Sequence, residues 1–351
     1  MGDALDRQKI AVVLFNLGGP DSPAAVKPFL FNLFSDPAII QVPQPFRWLI
    51  AKLISSRRAP VAREIYGYLG GRSPIVPETE QQAEALERVL EDAGEVKCFL
   101  AMRYWHPFAH EAAEAVAAFA PDRIVLLPLY PQYSTTTTGS SLKDWAAAWK
   151  RAVGPGSTLP KSLETKEICC YPEAPGWIEA QAKLTRQGIE KAGGVENTRV
   201  LFSAHGLPKK VIEGGDPYQR QVERTCAAVA ARLDLPGLDW VTCYQSRVGP
   251  LEWIGPATDE EIERAGRDGK NLVVVPIAFV SEHSETLVEL DIEYKELAEK
   301  AGVPAYVRVP AVGSHPDFIR ALGDLVREAL EADDVICPEE AAGGVCPGNR
   351  N

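Results

Sequence analysis

The stretch FVSEHSETLVELDIEY, residues 279–294, carries one histidine and five acidic residues in sixteen positions. Glu285, Glu289 and Glu293 recur every four residues, which on a helix aligns them along one face. Like charges at that spacing cost about 0.2–0.5 kcal/mol per pair, so the stripe does nothing for helix stability. Clustered carboxylates push some of their own pKa values upward and can exchange protons near neutral pH. His283 lies in the same stretch, and His205 ends the apolar run TRVLFSAH (198–205). Imidazole nitrogen combined with carboxylate oxygen suits proton transfer, or a metal such as Fe(II), Zn or Mn.

Blander readings exist for each. A core histidine at a strand end accounts for His205. A solvated helix face, with acids at its positive N-terminal end, accounts for Glu282 and Glu285. It accounts less well for Glu289 and Glu293. Leu287, Leu290, Tyr294 and Leu297 form a separate apolar face, so the helix can pack on one side and show its acids on another. His106, His110 and His315 read as structural. No HExxH, GxGxxG or Walker-type sequence occurs, and NLGGP (16–20) is too short to imply phosphate binding.

Eight apolar or β-branched runs supply the strands that must position these groups: 9–17, 96–104, 123–130, 166–171, 198–205, 239–246, 271–279 and 305–312. Amphipathic segments such as 78–94 and 217–233 lie between them. This alternation predicts an α/β fold with parallel sheets, and the near-continuous apolar runs predict sheets covered on both faces. The chain also echoes itself. VVLFNLGGP (12–20) resembles VLFSAHGLP (200–208), IVLLPLYPQYS (124–134) resembles LVVVPIAFVSE (272–282), and VKCFLAMRYWHP (96–107) resembles WVTCYQSRVGP (240–250). Two similar halves are expected: 6–175, and 195–312, joined near 175–197. A C-terminal helix over 313–334 is expected to pack back on the first half, followed by a flexible Cys-containing tail, 335–351. Open parallel sheets bind ligands beyond the carboxyl ends of their strands. Those ends here read NLGGP, MRYWHP, YPQYSTTTTGSS, SAHGLP, YQSRVGP and SEHSE.

The chain has 351 residues, with 37 Lys+Arg against 48 Asp+Glu and a net charge of −11, which argues against broad nucleic-acid binding. The N-terminus lacks the pattern of a signal peptide, and no run approaches a membrane span, so a cytoplasmic location is expected. The seven cysteines are expected to be reduced. The segment 28–58 is rich in large apolar residues, interrupted by proline, and ends on Arg57 and Arg58. Such dense proline argues against one long helix. An apolar flap edged with basic residues suits a large flat ligand bearing carboxylates, or shallow peripheral docking at an anionic membrane face.

Seven ordered stretches together resemble ferrochelatase, the enzyme family that inserts ferrous iron into a porphyrin in haem synthesis. They are NLGGPDSP (16–23), SSRRAPVAREIYGYLGGRSPI (55–75), MRYWHP (102–107), YPQYSTTTTGSSL (130–142), SAHGLP (203–208), YQSRVGPLEWIGPAT (244–258) and 279–294. The resemblance implies two Rossmann-like, chelatase-type domains around a porphyrin cleft. It makes His205 the active-site histidine and Glu285 its partner acid across the cleft, the two together being catalytic and metal-binding. Glu289 and Glu293 would continue a proton or metal path, on a helix that in the family widens into a π-type turn, with His283 alongside. Arg58 and Ser73, with Tyr66 nearby, match residues implicated in holding propionates. Arg103 and Tyr104 match the pair on the pocket wall, and Leu17 and Trp253 its apolar lining.

On this resemblance the substrates are protoporphyrin IX and Fe(II), and no resident cofactor is required. Animal-type members carry a [2Fe–2S] cluster held by three cysteines near the C-terminus and one in the STTTT region. Here that internal position is Thr135, and the tail holds only Cys337 and Cys346. A cluster normally takes four thiolates. The count therefore argues against one, although the adjacent Cys169 and Cys170 could be recruited. Alternative readings are a chelatase for coproporphyrin with iron or sirohydrochlorin with cobalt, or a two-lobed tetrapyrrole carrier without catalysis.

Overall fold

The computed structural model describes residues 8–154, 163–247, 249–333 and 335–337. The chain divides into two compact units, residues 1–170 with 322–351, and residues 171–321.

The first unit holds β1 (Lys9–Asn16), α1 (Val26–Ser35), α2 (Phe46–Tyr68), α3 (Ile75–Val89), β2 (Glu95–Met102), α4 (Ala109–Phe119), β3 (Arg123–Pro128), α5 (Thr138–Ala152) and β4 (Glu164–Glu167). Its four strands are parallel, in the order β2-β1-β3-β4. β1 is central, and seven of its eight residues are buried in succession. Helices must therefore cover both faces, as the unbroken apolar run predicts. On one face Val13, Phe15 and Leu126 pack against Ala113 and Val116 of α4 and Trp145 of α5.

The second unit holds α6 (Pro175–Lys191), β5 (Thr198–His205), α7 (Lys209–Glu213), α8 (Tyr218–Leu233), β6 (Asp239–Gln245), α9 (Thr258–Arg267), β7 (Asn271–Pro276), a π-helix (Glu285–Glu293), α10 (Tyr294–Lys300) and β8 (Tyr306–Arg308). Its sheet is again parallel, in the order β6-β5-β7-β8. The three sequence echoes fall on equivalent strands: β1 with β5, β2 with β6, β3 with β7. α11 (Pro316–Glu331) begins in the second unit and, from Leu322 onward, belongs to the first. In the first unit Arg327 donates to the Val89 carbonyl at 2.7 Å.

All eight expected strands are present, within a few residues of their predicted bounds. Three local features differ from expectation. The segment expected to join the halves is mostly α6, a helix of the second unit. Proline does interrupt the flap, between α1 and α2, yet α2 then runs for 23 residues and passes through Pro60. Residues 335–337, expected to be flexible tail, pair with the end of β4: Ile336 N–H donates to Glu167 O at 2.9 Å, and Cys169 N–H to Ile336 O at 2.9 Å. The edge strand's unsatisfied backbone groups supply the reason. The acidic helix is a π-helix, as the resemblance implies, with Tyr294 N–H bonded to the Glu289 carbonyl, five residues back.

That π-helix is held from beneath and from the side. Leu290 is wholly buried with Leu201, Val274 and Ile262. Tyr306 OH donates to the Leu290 carbonyl at 2.7 Å. Arg308 on β8 bonds both Glu282 ahead of the helix and Asp291 within it, each at 2.5 Å. Among the described residues no helix is long and apolar enough to cross a membrane.

Candidate active site

Three neighbouring crests of the second unit's sheet build the site. His205 is the last residue of β5, paired in register with Gln245, the last residue of β6. The chain after β7 returns as the π-helix, whose first residue is Glu285. His205 Nδ1 lies 2.8 Å from Glu285 Oε2. The resemblance placed Glu285 across a cleft from His205. The two instead touch, because β5 and β7 are adjacent strands, and no planar ring fits between them.

The chain closes tightly behind His205. A Cβ on Gly206 would stand 2.9 Å from the Gln245 carbonyl and 3.3 Å from a ring carbon of Trp253, so only glycine lets this turn form. Trp253 also bridges Pro208, which sets its indole beside the His205 turn.

Glu289 is held by a second set of donors. Gln245 Nε2 reaches it at 3.0 Å, Ser246 N–H at 2.8 Å, Ser246 Oγ at 2.5 Å and Tyr294 OH at 3.2 Å. Ser246 has φ +62, a left-handed conformation rare outside glycine. It carries the backbone N–H and the hydroxyl to the same carboxylate. Gln245 is itself oriented by the buried Ser203 hydroxyl, 2.8 Å from its Oε1. Ser246 Oγ also lies 3.4 Å from Glu285 Oε2, so one hydroxyl spans both acids. Glu293, last of the three, is exposed. The stripe thus runs from a part-buried histidine to solvent. His283 is buried, bonds the Ser281 carbonyl through Nδ1 at 3.1 Å, and sets Nε2 3.9 Å from Glu285.

These contacts set the protonation. Burial would raise the Glu285 carboxyl, but the His205 charge and hydrogen bond, helped by His283 and Ser246, outweigh it and hold the group at about 2. Burial opposes charge on His205, yet Glu285, and then Glu289, lift it above the ordinary 6.5. Burial and then the Glu285 charge raise the Glu289 carboxyl. The pair therefore favours imidazolium beside carboxylate, with a more basic acid next to it.

In the first unit, Leu17, Tyr66 and Tyr104 belong to one apolar cluster with Val26, Phe29 and Leu30 of α1. Arg58 is exposed on α2, its guanidinium 5.9 Å from the Phe34 ring centre. Ser73 is buried against the NLGGP turn, where a Cβ on Gly19 would fall 2.5 Å from the Ser73 Cβ. Tyr104, placed by the resemblance on a pocket wall, is 1% exposed and donates its hydroxyl to Asp36 at 2.8 Å. Arg103 pairs with Asp36 at 2.8 Å and with the Ser140 hydroxyl at 2.7 Å.

Sequence reasoning missed Asp36, Gln245, Ser246 and Tyr294. YQS at a strand end was the available signal for two of them. Nothing in FSDPA marked Asp36 as the buried partner of Arg103. Cys337 comes together with Cys169 and Cys170 in the first unit, while Cys346 lies outside the described residues. Three thiols are the donor type that iron–sulfur and zinc centres take.

Two consecutive parallel-sheet units of one topology, with a histidine–glutamate pair on a strand crest, define a chelatase-type α/β protein. Among solved structures, the sirohydrochlorin chelatase SirB from Bacillus subtilis subspecies spizizenii in complex with cobalt matches with a TM-score of 0.50. It is 14% identical, over 92% of this chain and 96% of that one, a likeness of fold alone. The ferrochelatase family model matches residues 9–330. A ferrochelatase of Caulobacter vibrioides (strain NA1000 / CB15N) is 59% identical over 326 residues, 92% of this chain and 91% of that protein. One of Phenylobacterium zucineum (strain HLK1) is 57% identical over 347 residues, 96% of this chain and 97% of that protein. The chain belongs to the ferrochelatase family, and is a chelatase, a lyase.

Proposed function

We propose that the chain inserts Fe(II) into protoporphyrin IX, releasing two protons and forming protohaem, the terminal step of haem synthesis. The observation that carries this reading is the 2.8 Å contact between His205 and Glu285, continued through Ser246 to Glu289. A carrier needs no such chain of proton-holding groups.

The porphyrin centre must lose two N–H protons as it gains Fe(II), so the product stays neutral. His205 uses Nδ1 to bond Glu285, leaving Nε2 to face the substrate. Once neutral, the imidazole takes a pyrrole proton at Nε2, and Glu285 stabilises the imidazolium that forms. A proton then passes from the pair through the Ser246 hydroxyl to Glu289, whose raised pKa suits it to accept. Exposed Glu293 completes the exit, and the path is free for the second proton. His205 and Glu285 also supply a nitrogen and an oxygen for the incoming iron. Trp253, half-buried beside the His205 turn, offers aromatic surface to the ring. This chemistry requires no resident cofactor.

Peripheral contact with a membrane from the cytoplasmic side belongs to the same reading. Phe46, Trp48, Leu49 and Leu53 of α2 are exposed beside Lys52 and Arg57. That combination suits shallow insertion at an anionic surface and collection of a poorly soluble ring.

An anaerobic assay of Fe(II) insertion into protoporphyrin against coproporphyrin tests the assignment. Turnover with protoporphyrin is expected. Porphyrin binding with no insertion would identify a carrier instead, and turnover restricted to coproporphyrin would move the substrate assignment.

A further inference from the structure

A π-helix is rare and is mostly a single turn set within an α-helix. Here it runs for nine residues, Glu285–Glu293, and begins on the acid that meets His205. So wide a winding over so long a run calls for outside support, and β8 supplies it.

β8 is the shortest strand of its sheet, with three residues, Tyr306–Arg308. Side chains alternate across a strand. Val307 points toward α6, where a Cβ on Gly188 would lie 4.0 Å from Val307 Cγ1. Tyr306 and Arg308 share the opposite face, and both grip the π-helix. Tyr306 OH donates to the Leu290 carbonyl at 2.7 Å. Arg308, its side chain 11% exposed, divides its fork between two carboxylates. Nε and Nη2 donate to the two oxygens of Asp291 at 2.9 and 2.5 Å. Nη1 donates to Glu282 Oε1 at 2.5 Å, and that oxygen also accepts the Ala311 N–H at 3.0 Å.

The two gripped acids straddle Glu285, one three residues before it and the other six after it. A guanidinium is planar, and its donors stand in a fixed fork. One rigid group therefore fixes the chain on both sides of the catalytic acid. Its contact with His205 fixes only the tip of Glu285; Arg308 fixes the backbone from which that side chain hangs. The side-chain hydrogen bonds of Arg308 go to Glu282, Asp291 and the Val309 carbonyl, so it acts through Glu285 rather than on substrate. Buried ion pairs add little net stability, because desolvation offsets their attraction. What this one supplies is a set position.

We propose that Arg308 is a positioning residue for metal insertion: by holding Glu282 and Asp291 at one separation, it seats the π-helix so that Glu285 and Glu289 stand at the crest of β5 and β6. The proposal rests on the role given above to the His205–Glu285 pair, and adds the residue that keeps that pair in register.

The test measures Arg308→Gln, Arg308→Lys and Asp291→Asn in the anaerobic insertion assay, each alone and combined with Glu285→Gln. Arg308→Gln should lower kcat about tenfold or more, with KM for porphyrin within about twofold of the unaltered chain. Arg308→Lys should recover only part of that loss, since an ammonium offers a point charge where the fork made three bonds. Added to Glu285→Gln, Arg308→Gln should cost less than about twofold further, because the acid it positions is already disabled. A merely structural arginine would give losses that multiply. Unchanged kcat in Arg308→Gln, or multiplied losses in the double variant, overturns the proposal. Normal insertion by Glu285→Gln would sink the His205–Glu285 reading and this proposal with it, whereas an impaired Glu285→Gln beside a normal Arg308→Gln sinks this proposal alone. Should Arg308→Gln fail to fold, Asp291→Asn decides in its place, since Asp291 is only half-buried. A kcat loss of about threefold or more that vanishes in the Glu285→Gln background supports the proposal, and a normal kcat overturns it.

Discussion

His205 Nδ1 and Glu285 Oε2 meet at 2.8 Å although 80 residues separate them. Adjacent parallel strands bring their carboxyl ends together, and the π-helix supplies the acid where β7's crest returns. The contact makes the histidine more basic and the carboxylate more acidic than either is alone.

The first consequence concerns pH. Protonated His205 cannot accept a pyrrole proton, so activity should fall as pH drops through a pKa above 6.5. Glu285→Gln removes the charge that raises it. The acidic limb of the profile should therefore move to lower pH, with kcat reduced about tenfold or more. An unmoved limb would show that this pair does not govern the reaction.

The same pair should leave a signature in stability. Glu285, held at about 2 against an ordinary 4.5, stabilises above pH 4.5, and that contribution disappears as pH falls toward 2. His205, raised above 6.5, stabilises below pH 6.5, and its contribution fades as pH rises through the folded-state value. Both are present together from about pH 4.5 to 6.5. Denaturant melts should show Glu285→Gln costing on the order of 1–2 kcal/mol at pH 5.5, and less at pH 9. Equal costs at both pH values would argue against the ion pair.

Ser246→Ala keeps a backbone N–H near Glu289 but removes the hydroxyl between the two acids. Proton exit should slow, so kcat drops while KM for porphyrin stays near its original value. A rise in KM with unchanged kcat would instead make Ser246 a substrate contact.

Phe46→Ser, Leu49→Ser and Leu53→Ser, combined, remove apolar surface from α2 without touching the first unit's core. Co-sedimentation with vesicles containing anionic lipid should fall severalfold. If the triple variant sediments as the unaltered chain does, α2 is not the docking surface.

The strands were readable because both sheets are buried on both faces, and burial writes itself as unbroken apolar runs. The repeat was readable for the same reason: VVLFNLGGP and VLFSAHGLP occupy the central strands β1 and β5. The site was partly readable. His205, His283, Glu285 and Glu289 stand out by residue type, and the structure gathers all four. The π-helix was invisible to spacing, because residues four apart stay close to one face whether the helix is α or π. Ser246 was missed because its role depends on φ +62, which a serine does not announce. The pairing of residues 335–337 with β4 depends on an open sheet edge elsewhere in the chain. Asp36 shares that difficulty, its partners Tyr104 and Ser140 lying 68 and 104 residues away.

The central claim is that His205, made basic by Glu285, takes the pyrrole protons. Single-turnover Fe(II) insertion into protoporphyrin, measured anaerobically with His205→Ala, tests it most directly. The account predicts porphyrin binding close to that of the unaltered chain and an insertion rate lower by roughly a hundredfold or more. Near-normal insertion by that variant would contradict it.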